Sequence, residues 1–301
     1  MGWGGDMLEI DLFGRTRARV DGVDVGSLSG KQRQILAILA LEAGTPVAKE
    51  RLADQLWDGS PPGSYVGTLD SYICVLRRRL ALGAGRGSLL ATTQAGFMLV
   101  EDPSVVVDLS RFRSLARATS NATSQQVVEL ATQALSLVQG DLVMDAPYAD
   151  WAVRVRESFR HELLELALDA AQRANAIGEP AVAERMARMA IRHDPVREDA
   201  WRQLMLAQWF SGRRAGALAT YSELRSTLAD SLGDEPGPES RELYLTVLRD
   251  EPDVPTEDHR TELRTLLRLL RQALDSTPGV RAPGRDSALS DVAMRALATA
   301  G

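Results

Sequence analysis

Few side chains in this sequence are arranged for covalent chemistry. Cys74 is the only thiol, and His161, His193 and His259 stand singly, at none of the spacings that gather ligands round a metal. No serine–histidine–aspartate set, carboxylate pair or phosphate-binding loop lies in a supporting context, so no enzyme is expected and neither a cofactor nor a metal is implied. The segment GAGRG at 83–87 follows a helical pattern instead of a strand, the wrong setting for a dinucleotide fingerprint, and reads as a flexible linker. What remains is the run Arg77-Arg78-Arg79. Three guanidinium groups can hold phosphates or, through paired N–H donors, the edge of a guanine. The bland reading of such a run is a solvated helix end, where cations complement the macrodipole. The pattern around it decides between the two.

That pattern is a helix over about 66–81, in which Leu69, Ile73, Leu76 and Leu80 recur at intervals of four, three and four and form one apolar stripe. At about 100° per residue the opposite face is centred on Arg78 and takes in Gly67, Ser71, Cys74 and, laterally, Val75. Asp70 and Arg77 lie on one flank, with Thr68, Tyr72 and Arg79 on the other. Upstream, residues 8–28 alternate apolar and polar positions around an Asp21-Gly22 turn signal and read as short antiparallel strands. A helix follows from Ser29 to near Gly44, with Ile35, Leu36, Leu39 and Leu41 on its apolar face, and a second from about Ala48 to Trp57 that buries Leu52, Leu56 and Trp57. Pro61-Pro62-Gly63 forces a loop. Downstream, residues 88–100 read as a hairpin turning at Gln94, Ala95 and Gly96. Strands, three helices and a terminal hairpin spell a winged helix-turn-helix.

From Asp108 to Arg249 the patterns are almost wholly helical and Ala-rich. Gly178, Ala183, Ala187 and Ala190 recur 34 residues later as Gly212, Ala217, Tyr221 and Leu224, the period of tetratricopeptide-type hairpins, with Trp201 opening the second unit. The expected fold is therefore mainly α with a small β component: a winged helix-turn-helix over 7–100 and a TPR-like all-helical domain over 108–249. Residues 250–301 read as an acidic linker, a short helix carrying Leu263, Leu267, Leu270 and Leu274, and a tail. With 301 residues, 45% apolar and 25% charged, there is material for two globular domains. Charge divides unevenly, with 11 basic and 9 acidic residues in 7–100 against 24 and 31 in 101–301, so the cationic balance sits in the N-terminal third. No apolar run reaches the ~18 residues of a membrane span, the opening residues lack a signal-peptide pattern, and one cysteine suits a reducing compartment. A cytoplasmic protein without membrane contact is expected.

The segments GKQRQILAILALEAG, RLADQLW, SYICVLRRRL and AGFMLV, in that order and spacing, resemble the OmpR-type DNA-binding domain of the Streptomyces antibiotic regulatory protein family. VDLSRF and the stretch from HDPVREDAW to SLGDEPG resemble the bacterial transcriptional activator domain that follows it in that family. The resemblance implies an activator of secondary-metabolite genes, antibiotic biosynthesis among them. In that family paired winged helices bind direct repeats in double-stranded promoter DNA, self-associating there, and contact RNA polymerase holoenzyme.

It also implies a major-groove position for the third helix. On that reading Arg78 meets base edges, Arg77 and Arg79 hold phosphates, Thr68, Ser71 and Tyr72 support them, and Thr92 and Thr93 lie at the wing. Where the family's helices carry cations this chain has Val75 and Asp70, and Thr93 stands in place of a wing arginine. Val75 can give a thymine methyl an apolar contact but makes no bidentate guanine contact, so weaker and less selective binding than the family pattern is expected. Two other functions compete: a helical-repeat adaptor or co-regulator with a weakened DNA-binding domain, and a regulator sensing a small molecule on its helical surface.

Overall fold

The computed structural model describes residues 7–80 and 89–250; the expected linker at 83–87, and the helix and tail expected beyond 250, lie outside the described residues. In β1 (Leu8–Asp11) Leu8 and Ile10 are buried, while Glu9 and Asp11 both reach Arg19 of the antiparallel β2 (Arg17–Val20) at 3.0 Å. Asp21 and Gly22 have φ of 51° and 77°, the two left-handed residues that a tight hairpin turn requires, and lead into β3 (Val23–Asp24).

A capping box starts α1 (Gly30–Leu41): the Gln32 N–H donates to the Ser29 hydroxyl, and the Ser29 N–H donates back to the Gln32 side chain. Every residue from Ile35 to Ala40 is buried. In α2 (Lys49–Leu56) Leu52 and Leu56 are buried as expected, but Trp57 is only half-buried, its ring lying under the Lys31 ammonium at 5.6 Å. The stripe Leu69, Ile73, Leu76 and Leu80 of α3 (Tyr65–Arg79) is fully buried. The hairpin is β4 (Leu90–Thr93) and β5 (Gly96–Leu99), joined by Gln94 and Ala95.

The junction at 101–107 is more than a connection. Val105–Val107 forms β6, parallel to β1 with Leu8 opposite Val105, and completes a sheet of order β3-β2-β1-β6. Asp108, the first residue of α4 (Asp108–Ala118), accepts from the N–H groups of Leu12 at 2.8 Å, Phe13 at 3.0 Å and Leu109 at 2.7 Å. Burial pushes its carboxyl above the ordinary carboxylate range, against the opposing pull of those three donors. Rings of Phe13, Phe112 and Phe159 meet with centroids 5.0 to 6.3 Å apart. The sequence-based segments 7–100 and 108–249 thus share a core, which runs from Leu8 to Leu204, and residues up to 250 form one compact unit.

A 3-10 turn (Thr119–Asn121) and a second capping box, Thr123 with Gln126, lead into α5 (Ser124–Ser136). Then α6 (Asp150–Ala176), α7 (Pro180–His193), α8 (Glu198–Phe210), α9 (Arg214–Leu232) and α10 (Pro238–Arg249) each pack on the next. The 34-residue period is visible in the backbone. Gly178 and Gly212 share a φ of 76°, and the N–H groups of Glu179 and Arg213 donate to the carbonyls of Ala174 and Gln208 at the same 2.8 Å. Ala183, Ala187, Ala190, Ala217 and Leu224 are buried, and Tyr221 stacks on Tyr244.

Between α5 and α6 the chain forms a strap against the winged helix. The Val143 N–H donates to the Leu12 carbonyl, the Gly14 N–H to Asp141 and the Met144 N–H to Gly14, at 2.8 to 3.0 Å. The Asp145 carboxylate, only 4% exposed, accepts from Arg33 Nε at 2.6 Å and from the Thr16 N–H at 2.7 Å. Arg156 of α6 donates to the carbonyls of Leu142, Val143, Ala146 and Pro147. Val143 is buried with φ of 54°, a strained conformation for a β-branched residue that this surrounding network holds in place.

Candidate nucleic-acid interface

With its apolar stripe facing the core, α3 presents Gly67, Ser71, Cys74 and Arg78 to solvent, the face expected from the helical period. Val75 is half-exposed beside them. The hydroxyls of Thr68 and Ser71 donate to the carbonyls one turn back, Ser64 at 3.1 Å and Gly67 at 2.8 Å, which leaves their lone pairs facing outward. Tyr72 is half-buried against the core on the opposite flank, on the same side as the exposed Arg79.

The three arginines have different surroundings. Arg77, expected as a phosphate contact, is turned onto the wing: Nε and Nη2 donate to the Leu90 carbonyl at 2.8 and 2.6 Å, and Nη2 reaches the Thr92 hydroxyl at 2.8 Å. It fastens β4 to α3 and positions the hairpin. Arg78 and Arg79 have no ion-pair or hydrogen-bond partner among the described residues. Thr93 closes the wing turn, donating to the Gly96 carbonyl at 3.2 Å and accepting from the Ala95 N–H.

Replacing Arg77 by alanine removes both anchors of β4. We expect hydrogen exchange at residues 90–93 to rise and stability to fall by about 1.5–3 kcal/mol, the range for hydrogen bonds to a charged group. Unchanged exchange in the hairpin would show that the wing is held by its packing alone.

Two further residues complete the surface. Lys49 opens α2, lies 5.0 Å from the centre of the Phe97 ring and donates to Asp70 Oδ1 at 2.7 Å. Gly96 is buried with φ of 135°, where a side chain would meet the Val47 carbonyl, and the adjacent Phe97 exchanges backbone hydrogen bonds with Val47 at 2.7 and 3.0 Å. Periodicity singles out neither in these roles, although Lys49 is one of just two lysines among 35 basic residues. Most other cations of the winged helix are engaged within the chain: Arg19 with Glu9 and Asp11, Arg33 with Asp145, Arg51 with Glu42, and Lys31 with the Leu56 carbonyl. No helix among the described residues is long and apolar enough to cross a membrane.

Comparison with known proteins places these features in company. Residues 24–99 match the family model described as transcriptional regulatory protein, C terminal, and residues 107–248 match the bacterial transcriptional activator domain. Regulatory protein DnrI of Streptomyces peucetius is 33% identical over 263 residues, covering 82% of this chain and 94% of DnrI. Regulatory protein AfsR of Streptomyces coelicolor is 34% identical over 252 residues, covering 81% of this chain but 24% of AfsR. A solved structure of Mycobacterium tuberculosis EmbR, in complex with a low-affinity phosphopeptide, superposes with a TM-score of 0.71 at 26% identity, covering 90% of this chain and 70% of EmbR.

Proposed function

This chain belongs to the Streptomyces antibiotic regulatory protein family and is a transcriptional regulator, not an enzyme, and on that premise we propose that it activates secondary-metabolite genes, antibiotic biosynthesis among them. It does so by pairing on direct repeats in promoter DNA and engaging RNA polymerase holoenzyme. The observation that carries the reading is Arg78, exposed at the centre of the outward face of α3, with the wing fastened beside it by Arg77. Arg78 meets base edges in the major groove. Arg79 holds a phosphate at the end of the helix, Thr68, Ser71 and Tyr72 support the docking, Val75 meets a thymine methyl, and Thr92 and Thr93 lie at the wing. Paired binding raises the effective concentration of modules that are individually weak.

The test is selection from a randomised pool of duplexes by the full chain, followed by titration of the enriched sequence across a salt series. Binding should weaken linearly in log–log form, with a slope of roughly −0.9 for each phosphate neutralised. Arg78→Ala should collapse the ratio between enriched and scrambled duplexes about tenfold, the discrimination expected of one base contact. An Arg78→Ala protein with an unchanged ratio would remove α3, in this rotation, from the interface. Stimulation by purified polymerase holoenzyme on the enriched site tests the activator step. The second reading, an adaptor with a weakened DNA-binding domain, draws on the number of winged-helix cations already paired within the chain. It gains if the pool shows no enrichment.

A further inference from the structure

Resting on that DNA-binding reading, we propose that Asp70 is a specificity-determining residue that selects a cytosine in the major groove, with Lys49 as the group that positions it. Asp70 is the only charged side chain between Tyr65 and Leu76, so the N-terminal four-fifths of α3 carries an acid and no base. Residues in the N-terminal part of a recognition helix reach base edges. A carboxylate there is repelled by phosphates on both sides of the groove and gains only where a base offers it a donor. In the major groove cytosine presents its N4 amino group, and aspartate and glutamate accept from it.

The geometry suits this role. The Asp70 side chain is 51% exposed, and Lys49 Nζ holds Oδ1 at 2.7 Å, while Oδ2 has no partner among the described residues. Lys49 is itself restrained, 26% exposed and lying over the Phe97 ring. Its ammonium has three donors, one engaged by Asp70, which leaves others for a phosphate at the start of α2, the helix that crosses the backbone in this architecture. Docked in this way, Lys49 bridges phosphate and carboxylate and fixes the direction of Oδ2. The nearby hydroxyls of α3, Ser71 on the outward face and Thr68 on the other flank, already give their protons to α3 carbonyls or its N-cap and carry no charge. Asp70 and Arg78 are eight residues apart, about 12 Å along the helix, so the two side chains read different base pairs. The cytosine read by Asp70 should therefore be a separate position of the site from the base read by Arg78.

The randomised-duplex selection, run in parallel on wild type, Asp70→Asn, Asp70→Ala and Arg78→Ala, separates this from the parent reading. Wild type should enrich a cytosine at one fixed position, which Asp70→Ala loses by about tenfold, and Asp70→Asn should turn that preference towards adenine, the base an asparagine pairs with. Asp70→Ala should also bind scrambled duplexes more tightly than wild type, because the repelling charge is gone. An enriched site that depends on Arg78 but is identical in wild type and both Asp70 variants overturns this proposal and leaves the parent reading standing. A uniform loss of affinity in the Asp70 variants, with base preferences intact, reduces the Lys49–Asp70 pair to a structural one and likewise overturns it. No enrichment by wild type overturns both.

Discussion

A Gly96→Ala protein is expected to melt about 6–12 °C below wild type and to lose its ordered wing. A Cβ at this position would stand 1.9 Å from the Val47 carbonyl oxygen, 2.6 Å from its carbon and 2.9 Å from the Ala48 Cα. These are backbone atoms, so no rotamer change relieves the clash; the hairpin must leave the strand-like pairing between Val47 and Phe97. The φ of 135° adds strain for any L side chain. Overpacking and backbone strain each cost about 1–3 kcal/mol, and roughly 3 kcal/mol in all corresponds to that change in melting temperature for a unit of this size. The wing sits beside α3, so DNA affinity should fall with it. Calorimetry checks the first part and titration with the enriched duplex the second; an alanine variant with wild-type melting would mean that the 47–48 segment gives way at little cost.

The second large effect belongs to the strap. Asp145→Ala removes the partner of Arg33, whose side chain is 18% exposed, and of the buried Thr16 N–H. Arg15, two-thirds exposed and 3.4 Å away, adds little because water screens it. Removing one member of a largely buried pair leaves Arg33 with only the Leu28 carbonyl as partner and its charge unneutralised, a loss of about 3 kcal/mol. The more telling readout is cooperativity. Wild type should unfold in a single denaturant transition, because one core runs beneath both segments, whereas the variant should show the winged helix and the helices separating into two. A single transition at the wild-type midpoint would show that the apolar core alone joins them.

Much of this molecule is legible from residue spacing. The stripe on α3 and the outward position of Arg78 follow from a period that depends only on helix geometry, and Asp21-Gly22 and the glycines at 178 and 212 carry local backbone requirements within a few residues. What escapes is set by partners distant in sequence. Three valines at 105–107 are too few to reveal a period, and the strand they pair with lies at the other end of the winged helix. A helical wheel places Arg77 correctly on the flank, but it cannot say that the wing covers that flank. Gly96 reads as a turn residue, yet its constraint comes from the carbonyl of Val47. The positive φ of Val143 has no sequence signature at all, since Arg156 and the winged helix impose it from outside.

The shared core also sets a rule for building hybrids. A chimera that exchanges DNA-reading heads between relatives would naturally be cut where the two sequence segments meet, near 101–107. That cut transfers β1 without β6, leaves Asp108 facing a foreign turn at Leu12 and Phe13, and parts Arg33 from Asp145. A head that is to keep its own operator and still seat on a new body must bring the host-facing set with it: Val105 to Leu109, the strap from Asp141 to Ala146, and an arginine at the position of Arg156. A hybrid built on this chain therefore has its workable seams inside the helical half rather than between the halves.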